Sequence, residues 1–157
     1  MGETTLYRLP FPEPPDPADV PTDMHELADR IELVFSAGAL FAAVSTVETV
    51  AASGAWGNLA TDGPAITIPT AGDYIAVASC STQNLGIAQR QFAVAVGNTD
   101  PAGNVAICTS AGWGSLALAS LFTGLSAGAV LKHRYWSADP AGQFGFRSLL
   151  LIPRKLL

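Results

Sequence analysis

The sequence predicts an all-β fold: an antiparallel jelly-roll sandwich of about eight strands, behind an extended proline-rich arm and one short amphipathic helix. Three observations carry it. Beyond residue 38, short apolar runs alternate with dense turn signals. Six of the eleven prolines crowd between Pro10 and Pro21, which sets that stretch apart from any core. A chain of 157 residues also suffices for one domain with a proper interior, and not for two. The organisation follows as an arm over 1–21, a helix over 22–36 and a β domain over 39–157.

In the arm, proline fixes φ and removes backbone donors, so LPFPEPPDPADVP is expected to be extended and polyproline-like. Tyr7, Leu9 and Phe11 alternate there with Arg8 and Pro10 between them, as in a segment laid into a neighbour's groove. The helix begins after Pro21, where Asp23 and Glu26 are spaced as a capping box. Met24, Leu27, Ala28, Ile31, Val34 and Phe35 then form one apolar stripe, opposite His25, Glu26, Asp29, Arg30 and Glu32. Gly38 closes it. Such a helix needs a surface to pack on.

Strands are expected over 40–50, 65–69, 73–81, 87–97, 104–109, 115–122, 129–137 and 144–152. Asp62-Gly63-Pro64, Thr70-Ala71-Gly72-Asp73, the run from Gly97 to Gly103 and Asp139-Pro140-Ala141-Gly142 supply the turns. Within the strands Phe92, Val94 and Val96 oppose Ala93 and Ala95, and Ile75 and Val77 oppose Ala76 and Ala78. A large-residue face and an alanine face suit a sandwich whose second surface is closely approached.

Charge is scarce and uneven. Charged residues make up only 13% of the chain, and between Ala37 and Ala127 there are only Glu48, Asp62, Asp73, Arg90 and Asp100. An outer face so poor in charge is expected to be covered, by identical subunits or by a partner. The net charge of −5 gives no general attraction to a phosphate backbone, so nucleic acid is not an expected partner. Five of the eight basic residues, Lys132, Arg134, Arg147, Arg154 and Lys155, fall late, either as a local basic patch or as the solvated side of terminal strands. The uncharged stretch from Pro101 to Leu131 is too broken by glycine, serine and threonine to read as a membrane span. No basic region followed by an apolar run opens the chain, so synthesis in a reducing cytoplasm is expected.

Catalytic groups are not recognisable. The sequence holds no phosphate-binding glycine loop, nucleophile elbow, HExxH or CxxC, and the carboxylates are scattered, so no enzyme, metal site or cofactor is expected. His25 falls on the polar side of the helix; His133, with Asp139 nearby, offers at most the shadow of a triad. Cys80 and Cys108 have neither metal-knuckle spacing nor a disulfide framework, and Cys80 reads as a buried free thiol. Trp56, Trp113, Trp136, Tyr74 and Tyr135 serve either as core and interface anchors or as a sugar-stacking surface.

Three strand motifs carry a resemblance. AITIPTAGDYIAVAS (65–79) resembles a strand of the tumour-necrosis-factor and complement-type globular jelly rolls, with Gly72 and Tyr74 in the matching places. LSAGAVLKHRYW (125–136) is similar to a late strand of the same family, matching at Gly128 and departing at Ala129, where an acidic residue is usual. FGFRSLLLIP (144–153) resembles its closing strand, which implies that Phe146 and Leu150 point inward. The resemblance spans about residues 40–155 and implies a homotrimer packed around a threefold axis; the departure at Ala129 removes support for any family ligand site. A second resemblance lies in DVPTDMHELADRIE (19–32), which is similar to segments preceding small β domains in tailed-bacteriophage virion proteins of tail, fibre and capsid decoration.

Together these imply a structural virion protein, a homotrimeric capsid decoration (cementing) protein. It would sit on the outer capsid surface and dock on the major capsid protein, and on neighbouring decoration subunits, through Tyr7, Arg8, Leu9 and Phe11. The alternative is a tail- or fibre-associated module binding a host receptor or glycan. Neither requires a membrane.

Overall fold

A computed structural model describes residues 2–3, 10–11, 25–29, 31 and 38–156. Strand β1 (Gly2–Glu3) pairs antiparallel with β2 (Pro10–Phe11), Gly2 opposite Phe11. Residues 4–9 and 12–21 of the predicted arm lie outside the described residues. Tyr7, Arg8 and Leu9 lie outside the described residues. Residues 25–29 and 31 are helical, with Leu27 and Ile31 36% and 39% exposed. Met24, Val34 and Phe35 fall outside the described residues.

The rest is strand: β3 (Leu40–Val44), β4 (Glu48–Thr49), β5 (Ala65–Thr67), β6 (Gly72–Asn84), β7 (Arg90–Val96), β8 (Val105–Cys108), β9 (Gly112–Leu125), β10 (Val130–Ser137) and β11 (Gln143–Leu156). They form two antiparallel sheets, ordered β5-β10-β7-β8 and β3-β11-β6-β9, with β4 also on β11. Neighbours that are distant in sequence, such as β11 beside β6, are the crossings of a jelly roll. The expected 40–50 strand is two short pieces, and the uncharged 101–131 stretch is β8, β9 and the start of β10. Among the described residues no helix is long and apolar enough to cross a membrane.

Inward residues of both sheets make the core. Tyr74, Phe92, Tyr135, Phe144, Leu131, Leu149 and Leu151 are each at most 1% exposed. Along β6 the alternation places Tyr74, Ala76, Ala78, Cys80, Thr82 and Asn84 inside. This settles which of the two opposing faces is inward: the alanines face the core, and Ile75 and Val77 face out. Tyr74 is the reason, since its ring fills the interior while its hydroxyl donates to the Thr70 carbonyl at 2.7 Å. Small alanines beside it leave room for the large side chains of the facing sheet. Gly72, also buried, opens this strand, and Gly128 sits in the exposed β9–β10 turn at φ 83°, a conformation that favours glycine.

Strand β11 carries the second correction. Phe144 and Gly145 pair with Thr82 and Ser81, and pairing resumes at Ser148 opposite Ser79. Two residues, Phe146 and Arg147, thus oppose Cys80, which is a β-bulge. Phe146, at φ 47°, is turned out to 64% exposure while Arg147 is buried. One extra residue flips the phase of everything after it. Leu149 and Leu151 therefore point inward and Leu150 outward, so the expected inward placement of Phe146 and Leu150 does not hold.

Candidate interaction surface

The outward face of the β3-β11-β6-β9 sheet is the most distinctive surface of the domain. Register aligns its side chains in rows. Phe41, Leu150, Val77 and Ala119 form one; Ile152, Ile75 and Leu121 form the next. On the other side lie Ala43, Ser148, Ser79 and Ala117, then Ser81 and Ser115 beside the bulged Phe146, then Gln143, Gln83 and Trp113. None of these positions is charged. Phe41 is 67% exposed, and Val77, Leu121, Trp113 and Phe146 lie between 40% and 64%.

The serines at its centre are satisfied from within. The Ser79 and Ser148 hydroxyls hydrogen-bond each other at 2.8 Å, and Ser81 Oγ donates to the Gly145 carbonyl at 2.8 Å. Such a face can be dehydrated without leaving these hydroxyls unpaired, which is the usual penalty for covering serine. Large side chains at the margins, Phe41, Phe146 and Trp113, surround alanine and serine in the middle. A contiguous apolar patch of this kind marks an interaction surface rather than ordinary solvent-facing sheet.

The other sheet is covered by the chain itself. The segment between β4 and β5 runs alongside β10, with backbone hydrogen bonds between Gly57 and Tyr135 in both directions. It is secured by late basic residues. Lys132 Nζ meets Asp62 at 2.8 Å, Arg134 donates to Asn58 at 2.7 Å and reaches Asp100 at 3.4 Å, and Arg147 pairs with Glu48 at 2.9 Å. Lys132, Arg134 and Arg147 are only 5%, 6% and 1% exposed, so they form neither a basic patch nor a solvated strand side. Arg154 is exposed.

His133 is enclosed in the core, its ring 5.1 Å from that of Phe92 and 5.8 Å from that of Tyr135. Burial, opposed by the Ser148 backbone and aided by the Arg147 charge, holds it down to about 3. Asp139 is occupied in its own turn, accepting from the Ala141 N–H at 2.8 Å and from Asn84 at 3.2 Å. The two do not meet, and no triad forms. Among the described residues no three His, Cys, Asp or Glu side chains are grouped to hold a metal ion. Nor do the aromatics converge: Tyr74 and Tyr135 are core, Trp56 and Trp136 are half-buried by the covered sheet, and Trp113 alone lies on the uncharged face. Both cysteines are free thiols, Cys80 buried and Cys108 half-buried.

The sequence pointed to a covered outer face without saying which residues compose it. The signal was present in β9, where Trp113, Ala117, Ala119 and Leu121 alternate with Leu116, Leu118 and Phe122. Assigning them needs the inward direction of the neighbouring β6.

No family model matches the sequence, and no curated protein matches it. Among solved structures, the crystal structure of murine APRIL at pH 8.0 is similar at 12% identity with a TM-score of 0.44, over 71% of this chain and 98% of that one. A second, of murine APRIL at pH 8.5, is similar at 9% identity with a TM-score of 0.43, over 72% and 99%. A likeness this loose carries no argument about partners or assembly, and the jelly roll described above rests on strand order and register alone.

Proposed function

We propose that this chain is a structural subunit, a homotrimeric capsid decoration protein of a tailed-phage virion. The β domains associate through the outward face of the β3-β11-β6-β9 sheet, and residues 1–21 dock on the major capsid protein. The observation that carries the assembly half is that face: apolar, uncharged and internally hydrogen-bonded. Three copies of this neutral surface converge around a threefold axis without charge repulsion. The threefold count comes from the strand-motif resemblance.

The entry into β3 supports the docking half. Gly38 and Ala39 lead into β3 where Leu40 pairs with Leu151, so in a threefold assembly all three leaders leave from the same end. Three weak arms on one rigid body bind at high effective concentration.

The test combines mass and decoration. Light scattering should give three times the chain mass for the intact protein and a folded, smaller species for Val77→Glu. Deleting residues 1–21 should leave the trimer intact and abolish capsid binding. A monomeric intact chain would overturn the assembly reading, and normal decoration by the truncated chain would overturn the docking reading. Trp113, exposed on the edge strand beside Gln83, favours the tail- or fibre-associated glycan-binding alternative; glycan-array binding lost in Trp113→Ala would select it.

A further inference from the structure

Four basic side chains are buried in the sandwich, and three of them have a carboxylate. Lys132 has Asp62, Arg134 has Asp100 and Arg147 has Glu48. Arg90, 0% exposed on β7, has none among the described residues. Its guanidinium donates to the carbonyls of Ser110 and Gly112 and, at 3.4 Å, to the Cys108 sulfur. Carbonyls supply dipoles but no countercharge. A guanidinium cannot shed its proton, so burial without an anion is strongly unfavourable. The ionisable group in contact with it is the Cys108 thiol.

The surroundings of that sulfur suit an anion. Ser110 Oγ stands 3.2 Å away. Thr82, 0% exposed, has a hydroxyl with no hydrogen-bond partner among the described residues. Gly114 locates the point where these groups converge. A Cβ there would lie 3.0 Å from Cys108 Sγ, 3.7 Å from Ser110 Oγ and 3.8 Å from Thr82 Oγ1. The absent side chain thus keeps open a small polar space, with two hydroxyl donors and a guanidinium around one sulfur.

We propose that Cys108 is a modification site: its thiolate is the counterion of Arg90 and reacts with low-molecular-weight disulfides. The thiolate attacks one sulfur of the disulfide, a new S–S bond forms, and the old one breaks. The departing thiolate carries the electron pair and takes a proton from solvent.

The protonation balance agrees with the geometry. Burial pushes the Cys108 thiol up, but the hydroxyls of Ser110 and Thr82 and the charge of Arg90 together leave it below the ordinary thiol value. The charged or titratable groups facing it are Arg90 from β7 and Cys80 from β6. Cys80 is the inert counterpart, 2% exposed and pushed far up by burial. Cys108 is half-buried on the terminal residue of β8, next to the exposed turn at 109–111, so a small reagent can reach it.

This inference is independent of the assembly reading. The test treats the full-length folded protein with dipyridyl disulfide over a range of pH and follows pyridinethione release. One equivalent should react in the native state, map to Cys108 and vanish in Cys108→Ser. Its rate should reach half-maximum at a pH below the free-thiol value of about 8.5. Ser110→Ala, in the exposed turn, and Arg90→Met should each move that midpoint upward; if Arg90→Met does not fold, Ser110→Ala still decides. A midpoint at or above the free-thiol value, one unmoved by Ser110→Ala, or an adduct on Cys80 would overturn the proposal.

Discussion

Replacing Glu48 tests whether the buried charges hold the covering segment in place. Its carboxylate accepts from Arg147 Nη2 at 2.9 Å, from the Thr61 N–H at 2.9 Å and from Thr61 Oγ1 at 2.7 Å. The Arg147 side chain is 0% exposed and that of Glu48 13%. Glu48→Ala leaves the guanidinium with the carbonyls of Thr46, Thr61 and Gly63, at 3.3 to 3.4 Å, and no countercharge. Breaking a buried pair from one side costs about 3 to 5 kcal/mol. For a chain of this length that is a fall in Tm of about 6 to 20 °C. Glu48→Gln, which keeps one acceptor oxygen, should lose less. Glu48→Ala combined with Arg147→Met should recover part of the loss, since neither charge then remains buried. The assay is urea unfolding followed by tryptophan fluorescence, at fixed protein concentration because self-association contributes to apparent stability. A loss below about 1 kcal/mol for Glu48→Ala, or a double variant worse than the single one, would refute the reasoning.

Two further outcomes are expected. His133 is neutral in the fold and held at about 3, against an ordinary 6.5, so the unfolded chain gains a proton first as pH falls. Stability is therefore fully present above 6.5 and is lost progressively down to about 3, by on the order of 5 kcal/mol. Replacing His133 with Leu should remove that part of the acid slope, and an unchanged urea midpoint profile across this window would contradict the assignment. Gly142→Ala sets a Cβ 2.9 Å from Ser137 Cβ and into its hydroxyl, and Ser137 is 0% exposed, so a destabilisation of about 1 to 3 kcal/mol is expected by thermal melting. Gly86→Ala, with nothing within 4 Å of the added atom, is its neutral control.

The strands were legible because turn chemistry and alternation are local. The two bulky faces of β7 and β6 look alike in sequence, Phe92-Ala93-Val94 against Ile75-Ala76-Val77. They differ because Tyr74 pulls one face of β6 inward, and that depends on the opposite sheet. The bulge at Phe146 was hidden for a related reason. Phe144, Phe146, Ser148 and Leu150 read as one unbroken alternation, and only the register with β6, Gly145 opposite Ser81 and Ser148 opposite Ser79, shows that a residue has been inserted. The roles of the late cations were equally out of reach. Asp62 lies 70 residues from Lys132 in the chain and Glu48 lies 99 from Arg147. Such separations leave no trace in spacing.

The scarcity of charge has a sharper meaning once these contacts are placed. A small domain usually spends its lysines and arginines on solubility at the surface. Here Arg90, Lys132, Arg134 and Arg147 are all buried, and three meet carboxylates: Asp62 of the covering segment, Asp100 of the β7–β8 turn and Glu48 of β4. The segment before β5 is thereby tied along β10 by the chain's own ion pairs. In the other sheet the outward rows from Ile152 to Trp113 carry no charge, which begins only at one end, where Asp73 pairs with Lys155. The asymmetry separates two roles within one sandwich: one sheet is closed by intramolecular charge pairing, and the other remains available for closure by contact with another molecule. A single carboxylate at Val77 reverses the second role without touching the first. Dissociation without loss of the tertiary fold is therefore the outcome that distinguishes an interface from a merely apolar wall.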